Sequence, residues 1–277
     1  MKKAEIIDQI KKKASFLCVG LDTDLQKIPS HLLSEPDPVF AFNKEIIDHT
    51  RDYCVSYKLN TAFYEYLGVK GIESMMKTID YISDEHFVIA DAKRGDIGNT
   101  SSMYAKAFFE TINADAITLS PYMGRDSIGP FLHFKDKWAI VLALTSNEGA
   151  DDFQFSSITE NASQTRALYE QVLEKVSSWG SAENTMFVVG ATKGSYFEKI
   201  RKIVPKHFLL VPGIGAQGGD LGELCRYGLN EEIGLLVNSS RAIIYSGHGH
   251  DFGVQAGKAA KEVQEAMKRE LSSRNLI

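Results

Sequence analysis

The hydrophobic positions of this chain fall into about eight short β-rich runs, and amphipathic stretches with helical spacing separate nearly all of them. The runs are apolar throughout, which is typical of parallel strands buried on both faces. This alternation favours a parallel α/β fold, and the number of strands favours closure into a (β/α)8 barrel. The predicted strands are residues 16–21, 54–60, 87–90, 114–119, 138–144, 186–190, 207–211 and 241–245.

The length and composition fit one globular unit. The chain has 277 residues, of which 44% are hydrophobic and 24% charged, and no linker-like stretch divides it. We therefore expect residues 1–277 to form a single α/β domain, a (β/α)8 TIM barrel. The formal net charge of −5 argues against nucleic-acid binding, which needs clustered excess lysine and arginine.

The cysteines and apolar segments bear on the compartment. None of the three cysteines, Cys18, Cys54 and Cys225, is spaced from another like a metal ligand, and an odd number forms no closed disulfide framework. No apolar run has the length of a signal peptide or a membrane span. We therefore expect a cytoplasmic protein that makes no contact with a membrane.

The main chemical signal lies in the stretch FVIADAKRGDIGNT, residues 87–100. Alternate side chains of a strand share a face, so Asp91 and Lys93 should point into one pocket at the carboxyl end of the third strand. Asp96 follows, before a helix that we expect residues 99–101 to cap. Two carboxylates and an ammonium suit a site that delivers a proton. A solvated charged turn is the alternative, although the apolar run before it would bury the cluster's base, where ion pairs are costly.

Two other predicted strands also end in charged residues. The first is followed by Asp22 and Asp24, of which Asp22 is nearer the strand, and the second ends near Lys58. A lysine at a strand end is often a surface residue whose ammonium reaches water. In a barrel, however, the carboxyl ends of all the strands lie together. We therefore expect Asp22 and Lys58 to join the cluster after the third strand.

A phosphate site is indicated after the seventh predicted strand. The stretch PGIGAQGGD, residues 212–220, contains four glycines that allow backbone N–H groups to approach an anion. Loops after strands seven and eight of such barrels commonly bind phosphate. We expect Gln217 and Arg241, the latter near the start of the last predicted strand, to donate hydrogen bonds there. An ordinary turn and a surface arginine are the alternatives.

Two further stretches leave their function open. Residues 146–157, SNEGADDFQFSS, are long enough to form a lid over the site, or are a polar loop without function. His248 and His250 suggest a metal site, but carboxylates nearby are few and a carboxy-terminal loop is the simpler interpretation.

Several motifs occur together in an order that is typical of one family. DAKRGDIGNT, residues 91–100, is similar to the D-x-K-x-x-D-I-x-x-T signature of orotidine 5′-phosphate decarboxylases. The longer forms DAKRGDIG, NTAFYE and NSSRAIIY resemble the longer bacterial, type 2 branch of that family. The other matching motifs cover nearly the whole barrel and are Leu21-Asp22, Tyr57-Lys58, Ser146, PGIGAQGGD and Ser240-Arg241.

The resemblance implies a reaction. It is the decarboxylation of orotidine 5′-monophosphate to UMP and CO₂ in de novo pyrimidine biosynthesis, with neither a cofactor nor a metal. Lys93 would be the proton donor and Asp91 its neighbour near the substrate carboxylate. Lys58 and Asp96 would complete an array of alternating charges.

The resemblance also implies the residues that bind the nucleotide. Asp22 would bind the ribose hydroxyls and Ser146 the pyrimidine ring. Gln217 and Arg241 would bind the phosphate. The segment 147–185 is longer than in shorter members of the family, so the resemblance does not identify the residues that close over the phosphate.

In the family, the residues corresponding to Asp96 and Thr100 reach into the partner subunit's site, so the resemblance implies a homodimer. Two other kinds of function are compatible with a D-x-K strand end. One is a related barrel lyase or aldolase that acts on a sugar phosphate, typically with a divalent metal. The other is a protein that keeps the fold and binds nucleotides without catalysis.

Overall fold

Eight parallel strands close into a barrel in the computed structural model, which describes residues 1–161, 164–191, 194–213 and 220–277. Each barrel strand pairs with the next along the chain, and the last pairs with the first. The (β/α)8 TIM barrel expected from the sequence is therefore confirmed. The barrel strands are Leu17–Gly20, Ser56–Asn60, Phe87–Arg94, Ala116–Leu119, Trp138–Leu144, Thr185–Val189, Phe208–Pro212 and Leu235–Ser239.

Helices connect the strands and pack around the barrel. The helices bury apolar stripes, as in the first helix, where Ile6 and Ile10 lie one turn apart and are both buried. The α-helices are Lys3–Lys13, Pro38–Thr50, Ala62–Glu65, Val69–Tyr81, Gly98–Lys106, Arg125–Leu132, Leu168–Trp179, Gly194–Ile203, Leu221–Gly228, Arg241–Ile244 and Phe252–Ser273. Further helical turns that are not α-helical are Ser30–Ser34, Ala107–Thr111 and Glu148–Asp152.

The prediction of the last strand was wrong. Residues 241–245 were expected to form it, but Arg241–Ile244 is a short helix, and the eighth strand is Leu235–Ser239. Both stretches are short and mainly apolar, so composition does not separate them; pairing with the first and seventh strands does. Arg241 consequently follows the eighth strand and stands at the carboxyl end of the barrel, where the sites of such barrels form.

Two local expectations also differ from the structure. The helix after the third strand begins at Gly98, and its N-cap residue Ile97 makes no side-chain capping bond, so residues 99–101 do not cap it. The stretch 146–157 contains a short helical turn and leads into an antiparallel hairpin that the sequence did not predict. The strands of that hairpin are Ser157–Asn161 and Gln164–Ala167.

The core is continuous with the barrel interior. Every position of Leu17–Gly20 and Thr185–Val189 is buried, as the uninterrupted apolar runs predicted. The three cysteines, all within the described residues, are buried and free. Burial raises the pKa of Cys18 to about 12 and of Cys54 to about 11, which makes these thiols unreactive. No described helix is both long and apolar enough to cross a membrane.

Candidate active site

A cavity of about 330 Å³ opens at the carboxyl ends of the barrel strands. Its lining comes from the ends of several strands and from the loops after them. Six of the nine site residues expected from the sequence line it, so the structure brings together positions far apart in the chain. They are Asp22, Lys58, Asp91, Lys93, Ser146 and Arg241.

Strand register places the charged residues side by side. Lys58 pairs with Gly20 in the first strand, and Asp91 pairs with Asn60 in the second. The register between the third and fourth strands shifts after Ala90, and Lys93 has a φ of +48°, in the left-handed region. The backbone at Lys93 therefore does not follow the regular alternation of a strand. Its ammonium nevertheless contacts Asp91.

The Asp91 carboxylate is the centre of the cluster. Its Oδ2 accepts a hydrogen bond from Nζ of Lys58 at 2.9 Å, and its Oδ1 accepts one from Nζ of Lys93 at 2.6 Å. The hydroxyl of Thr118 also donates to Oδ1, at 2.9 Å. Nζ of Lys58 lies 3.6 Å from Oδ1 of Asp22 as well. Two lysines and two aspartates therefore alternate along the wall of the cavity.

The pairing fixes the charge states of the buried members. Burial alone would raise the pKa of Asp91, but the ammonium groups of Lys58 and Lys93 outweigh it and hold that pKa well below its usual range. Burial likewise opposes the charge of Lys58, yet the carboxylates of Asp22 and Asp91 raise its pKa above the usual lysine value. Asp91 is therefore an anion and Lys58 a cation at neutral pH.

Two elements of the expected phosphate site line the same cavity. Gly213, directly after the seventh strand, has a φ of +99°, a conformation that favours glycine, and it lines the cavity with Arg241. Gln217, which we expected to bind phosphate, lies outside the described residues. A cation and a glycine turn therefore share the cavity with the lysine–aspartate cluster.

Asp96 and Thr100 are not among the residues that line the cavity of this chain. The backbone N–H of Asp96 donates to Oγ of Ser127 at 3.3 Å, and its Oδ1 accepts from the N–H of Ile97 at 2.8 Å. Thr100 is exposed on the helix that follows. Neither residue meets the charged cluster within one subunit.

Of the two histidines near the carboxyl terminus, His250 makes an aromatic contact. The ring of His250 stacks on that of His31 with centroids 4.2 Å apart. In the part of the chain that the structure describes, no group of three or more His, Cys, Asp or Glu side chains is arranged to hold a metal ion.

Several polar residues of the site were not predicted. Asn60 and Asn238 line the cavity at the ends of the second and eighth strands, and Oδ1 of Asn238 is buried with no hydrogen-bond partner among the described residues. The hydroxyl of Thr118, a residue that does not line the cavity, donates a hydrogen bond to Asp91. Asn60 could have been found from its position at the end of the predicted second strand, whereas Asn238 followed no predicted strand and a threonine inside an apolar run gave no signal.

Fold and cavity together define a (β/α)8-barrel protein with a lysine–aspartate cluster, a glycine turn and an arginine in one cavity. The model of the orotidine 5′-phosphate decarboxylase / HUMPS family matches residues 15–251, and the chain belongs to this family. The relatives include the orotidine 5′-phosphate decarboxylase of Flavobacterium johnsoniae, 59% identical over 99% of this chain and 100% of that protein. That of Bacteroides fragilis is 58% identical over 99% of each.

Solved structures agree with this assignment. The orotidine 5′-phosphate decarboxylase of Leishmania donovani superimposes with a TM-score of 0.81 and 34% identity, over 97% of this chain and all of that one. The UMP synthase of the same organism has a TM-score of 0.82 and 36% identity, over 94% of this chain and 55% of that one. The resemblance expected from the motifs is confirmed.

Proposed function

We propose that this chain decarboxylates orotidine 5′-monophosphate to UMP and CO₂ in de novo pyrimidine biosynthesis, with Lys93 as the proton donor and without a cofactor. The decarboxylase activity follows from 58–59% identity over nearly the full length of named relatives. The roles of individual residues are our inference. The observation that carries them is the Lys93 ammonium, held by Asp91 in the cavity that also contains Arg241.

The chemistry explains why a charged cluster suits this reaction. When the bond between C6 and the carboxyl group breaks, CO₂ leaves and its bonding electron pair stays on C6. An ammonium fixed beside C6 stabilises that pair and then gives it a proton, so a C6–H bond forms and a neutral amine remains. Because the ammonium is already in place, it does not reorganise as the negative charge develops.

Exposure favours Lys93 over Lys58 as the donor. The side chain of Lys58 is 6% exposed and contacts both Asp22 and Asp91, and its raised pKa opposes release of its proton. The side chain of Lys93 is 48% exposed and borders the cavity, so a ligand can reach it. Lys58 then serves as a fixed countercharge that keeps Asp91 in place.

The charges of the lysine–aspartate cluster also determine how strongly its groups interact with one another and with the substrate. Unit charges about 4 Å apart interact by about 4 kcal/mol at an effective dielectric constant near 20, and by less where solvent screens them. Asp91 in our proposal both orients Lys93 and lies near the substrate carboxylate. Binding of the remote phosphate supplies free energy that holds the ring against this cluster.

The nucleotide would extend across the cavity. We assign the ribose hydroxyls to Asp22 and the pyrimidine ring to Ser146, both of which line the cavity. The phosphate is assigned to Arg241 and, by the family resemblance, to Gln217. The backbone N–H of Gly213, a residue that lines the cavity, suits the same anion.

We further propose a homodimer in which Asp96 and Thr100 complete the partner's site. What supports this is their placement away from the charged cluster of their own subunit, beside large apolar side chains that stay exposed in one chain. Ile97 is 54% exposed and Met103 50% exposed, and these residues flank Thr100. A contact between subunits that buries Ile97 and Met103 would place Asp96 at the cavity of the partner subunit.

We also propose that residues 1–277 act as one catalytic domain in the cytoplasm.

An ultraviolet assay tests the activity: purified protein should consume orotidine 5′-monophosphate, with the loss of absorbance matched by UMP formation and unchanged by EDTA. Loss of activity with EDTA, or binding of UMP without turnover, would contradict the proposal and favour a metal-dependent lyase or a binding protein.

A further inference from the structure

Thr118 lies behind the charged cluster, in the fourth barrel strand, and is 1% exposed. Its hydroxyl oxygen accepts a hydrogen bond from the backbone N–H of Lys93 at 2.9 Å and donates one to Oδ1 of Asp91 at 2.9 Å. An N–H group only donates and an ionised carboxylate only accepts, so the direction of both bonds is fixed. The single hydroxyl proton therefore points at Asp91.

These hydrogen bonds close a ring through Lys93. Oδ1 of Asp91, which accepts the hydroxyl of Thr118, also accepts the Lys93 ammonium at 2.6 Å. The main chain of Lys93 is thus tied to this oxygen through Thr118, and its side chain is tied to it directly. We propose that Thr118 is a positioning residue that fixes where the Lys93 ammonium stands during proton transfer.

The backbone of Lys93 needs such support. Its φ of +48° lies in the left-handed region, which is unfavourable for a residue with a β-carbon. The shift of register between Ala90 and Arg94 interrupts the regular ladder with the fourth strand, and a side-chain oxygen accepts the Lys93 N–H instead. A valine at position 118 would keep the shape of the side chain but leave that N–H and Oδ1 of Asp91 without this partner.

This inference rests on the proposed function, because it assigns Thr118 to the same reaction without contact with the substrate. Thr118 is not among the residues that line the cavity. Loss of its hydroxyl should therefore affect the chemical step more than nucleotide binding. Hydrogen bonds to ionised groups are stronger than neutral ones, so we expect kcat to fall at least about tenfold and KM to change less than about threefold.

The test compares Thr118→Val, Thr118→Ala and Thr118→Ser with the wild type, by kcat and KM for orotidine 5′-monophosphate and by calorimetric binding of UMP. The Ala and Ser variants both lack the methyl group and differ only in the hydroxyl, so they isolate its hydrogen bonds even if Thr118→Val is unstable. Thr118→Ser should keep kcat within about threefold of the wild type, while Thr118→Ala should lose at least about tenfold. UMP affinity should stay within about threefold in all variants.

Thr50→Val is the matched control. Thr50 is also fully buried, and its hydroxyl bonds the carbonyl of Ile46 and the hydroxyl of Tyr57, away from the cavity. This variant should lower the melting temperature and leave kcat unchanged. Equal kcat in Thr118→Ala and Thr118→Ser would overturn the proposal, as would an equal loss of kcat in Thr50→Val. A wild type that leaves orotidine 5′-monophosphate unchanged would instead overturn the proposed function, and this inference with it.

Discussion

Gly20 and Ser240 approach so closely that a methyl group on Gly20 would lie 1.8 Å from Oγ of Ser240. Gly20 ends the first strand, two residues before Asp22, and Ser240 directly precedes Arg241. The candidate ribose and phosphate residues are therefore joined by a contact that only glycine allows. We expect the geometry of the binding site to depend on this contact between the end of the first strand and the residue after the eighth.

Gly20→Ala should consequently displace Ser240 and the helix that begins at Arg241. We expect KM for orotidine 5′-monophosphate to rise at least about tenfold, since the added methyl group would also lie 2.8 Å from Cβ of Ser240, which rotation of that side chain does not move. Gly129→Ala is the control, because nothing lies within 4 Å of the position of its added methyl group. Steady-state kinetics of both variants check this, and an unchanged KM in Gly20→Ala would show that the contact does not position the site.

Arg241→Ala should weaken binding of nucleotides through their phosphate. Loss of hydrogen bonds to a charged group costs about 1.5–3 kcal/mol, so we expect UMP affinity to fall about tenfold to hundredfold. The affinity for uridine, which lacks the phosphate, should not change. Arg269→Ala, at an exposed position of the last helix, is the control. Equal losses for UMP and uridine would remove Arg241 from the phosphate site.

Subunit complementation tests the proposed dimer. Lys93→Ala and Asp96→Ala should each be inactive alone. In a mixed dimer, one site would combine an intact Lys93 with the partner's intact Asp96, so random exchange of subunits should restore about a quarter of the wild-type activity. Mixtures that stay as inactive as the separate variants would contradict a site shared between subunits.

The sequence predicted the barrel well because its strands are continuous apolar runs that differ clearly from the amphipathic stretches between them. It failed at the eighth strand, where Leu235–Ser239 and residues 241–245 are both short and largely apolar. Only pairing with Leu209 and Leu17 distinguishes them, and that pairing is a property of the closed barrel. The amino-acid composition of either stretch gives no information about this pairing.

The sequence predicted those residues of the site that lie at the ends of strands. Asp22, Lys58 and Asp91 were expected together because parallel strands end at one side of a barrel, and the structure places them so. Thr118 was missed because its partners are 25 and 27 residues away: the pairing of the third and fourth strands brings it to Asp91, and the shift of register after Ala90 accompanies its bond to the Lys93 N–H. Such contacts arise from the folded backbone and carry no motif.

His207 gives the chain a pH-dependent stability unrelated to catalysis. Burial, assisted by the charges of Lys3 and Arg201, lowers the pKa of this side chain from 6.5 to about 4. Between these values the unfolded chain binds a proton that the folded chain does not, so the free energy of unfolding falls as the pH drops from 6.5 towards 4. This contribution is fully present above pH 6.5.

His207→Leu should remove that dependence. Relative to the variant, the wild type should lose about 1–2 kcal/mol of unfolding free energy between pH 7 and pH 5. Urea unfolding at the two pH values measures this difference. Parallel changes in the two proteins would show that His207 does not titrate in this way.

The central claim is that Lys93 protonates C6, and Lys93→Ala tests it most directly. Asp91 remains paired with Lys58 in this variant, so the cavity should persist and UMP should bind within about tenfold of the wild-type affinity. Turnover of orotidine 5′-monophosphate, measured by loss of absorbance, should fall at least about a thousandfold, while Lys268→Ala on the exposed face of the last helix keeps it. Turnover by Lys93→Ala at the wild-type rate would contradict the claim.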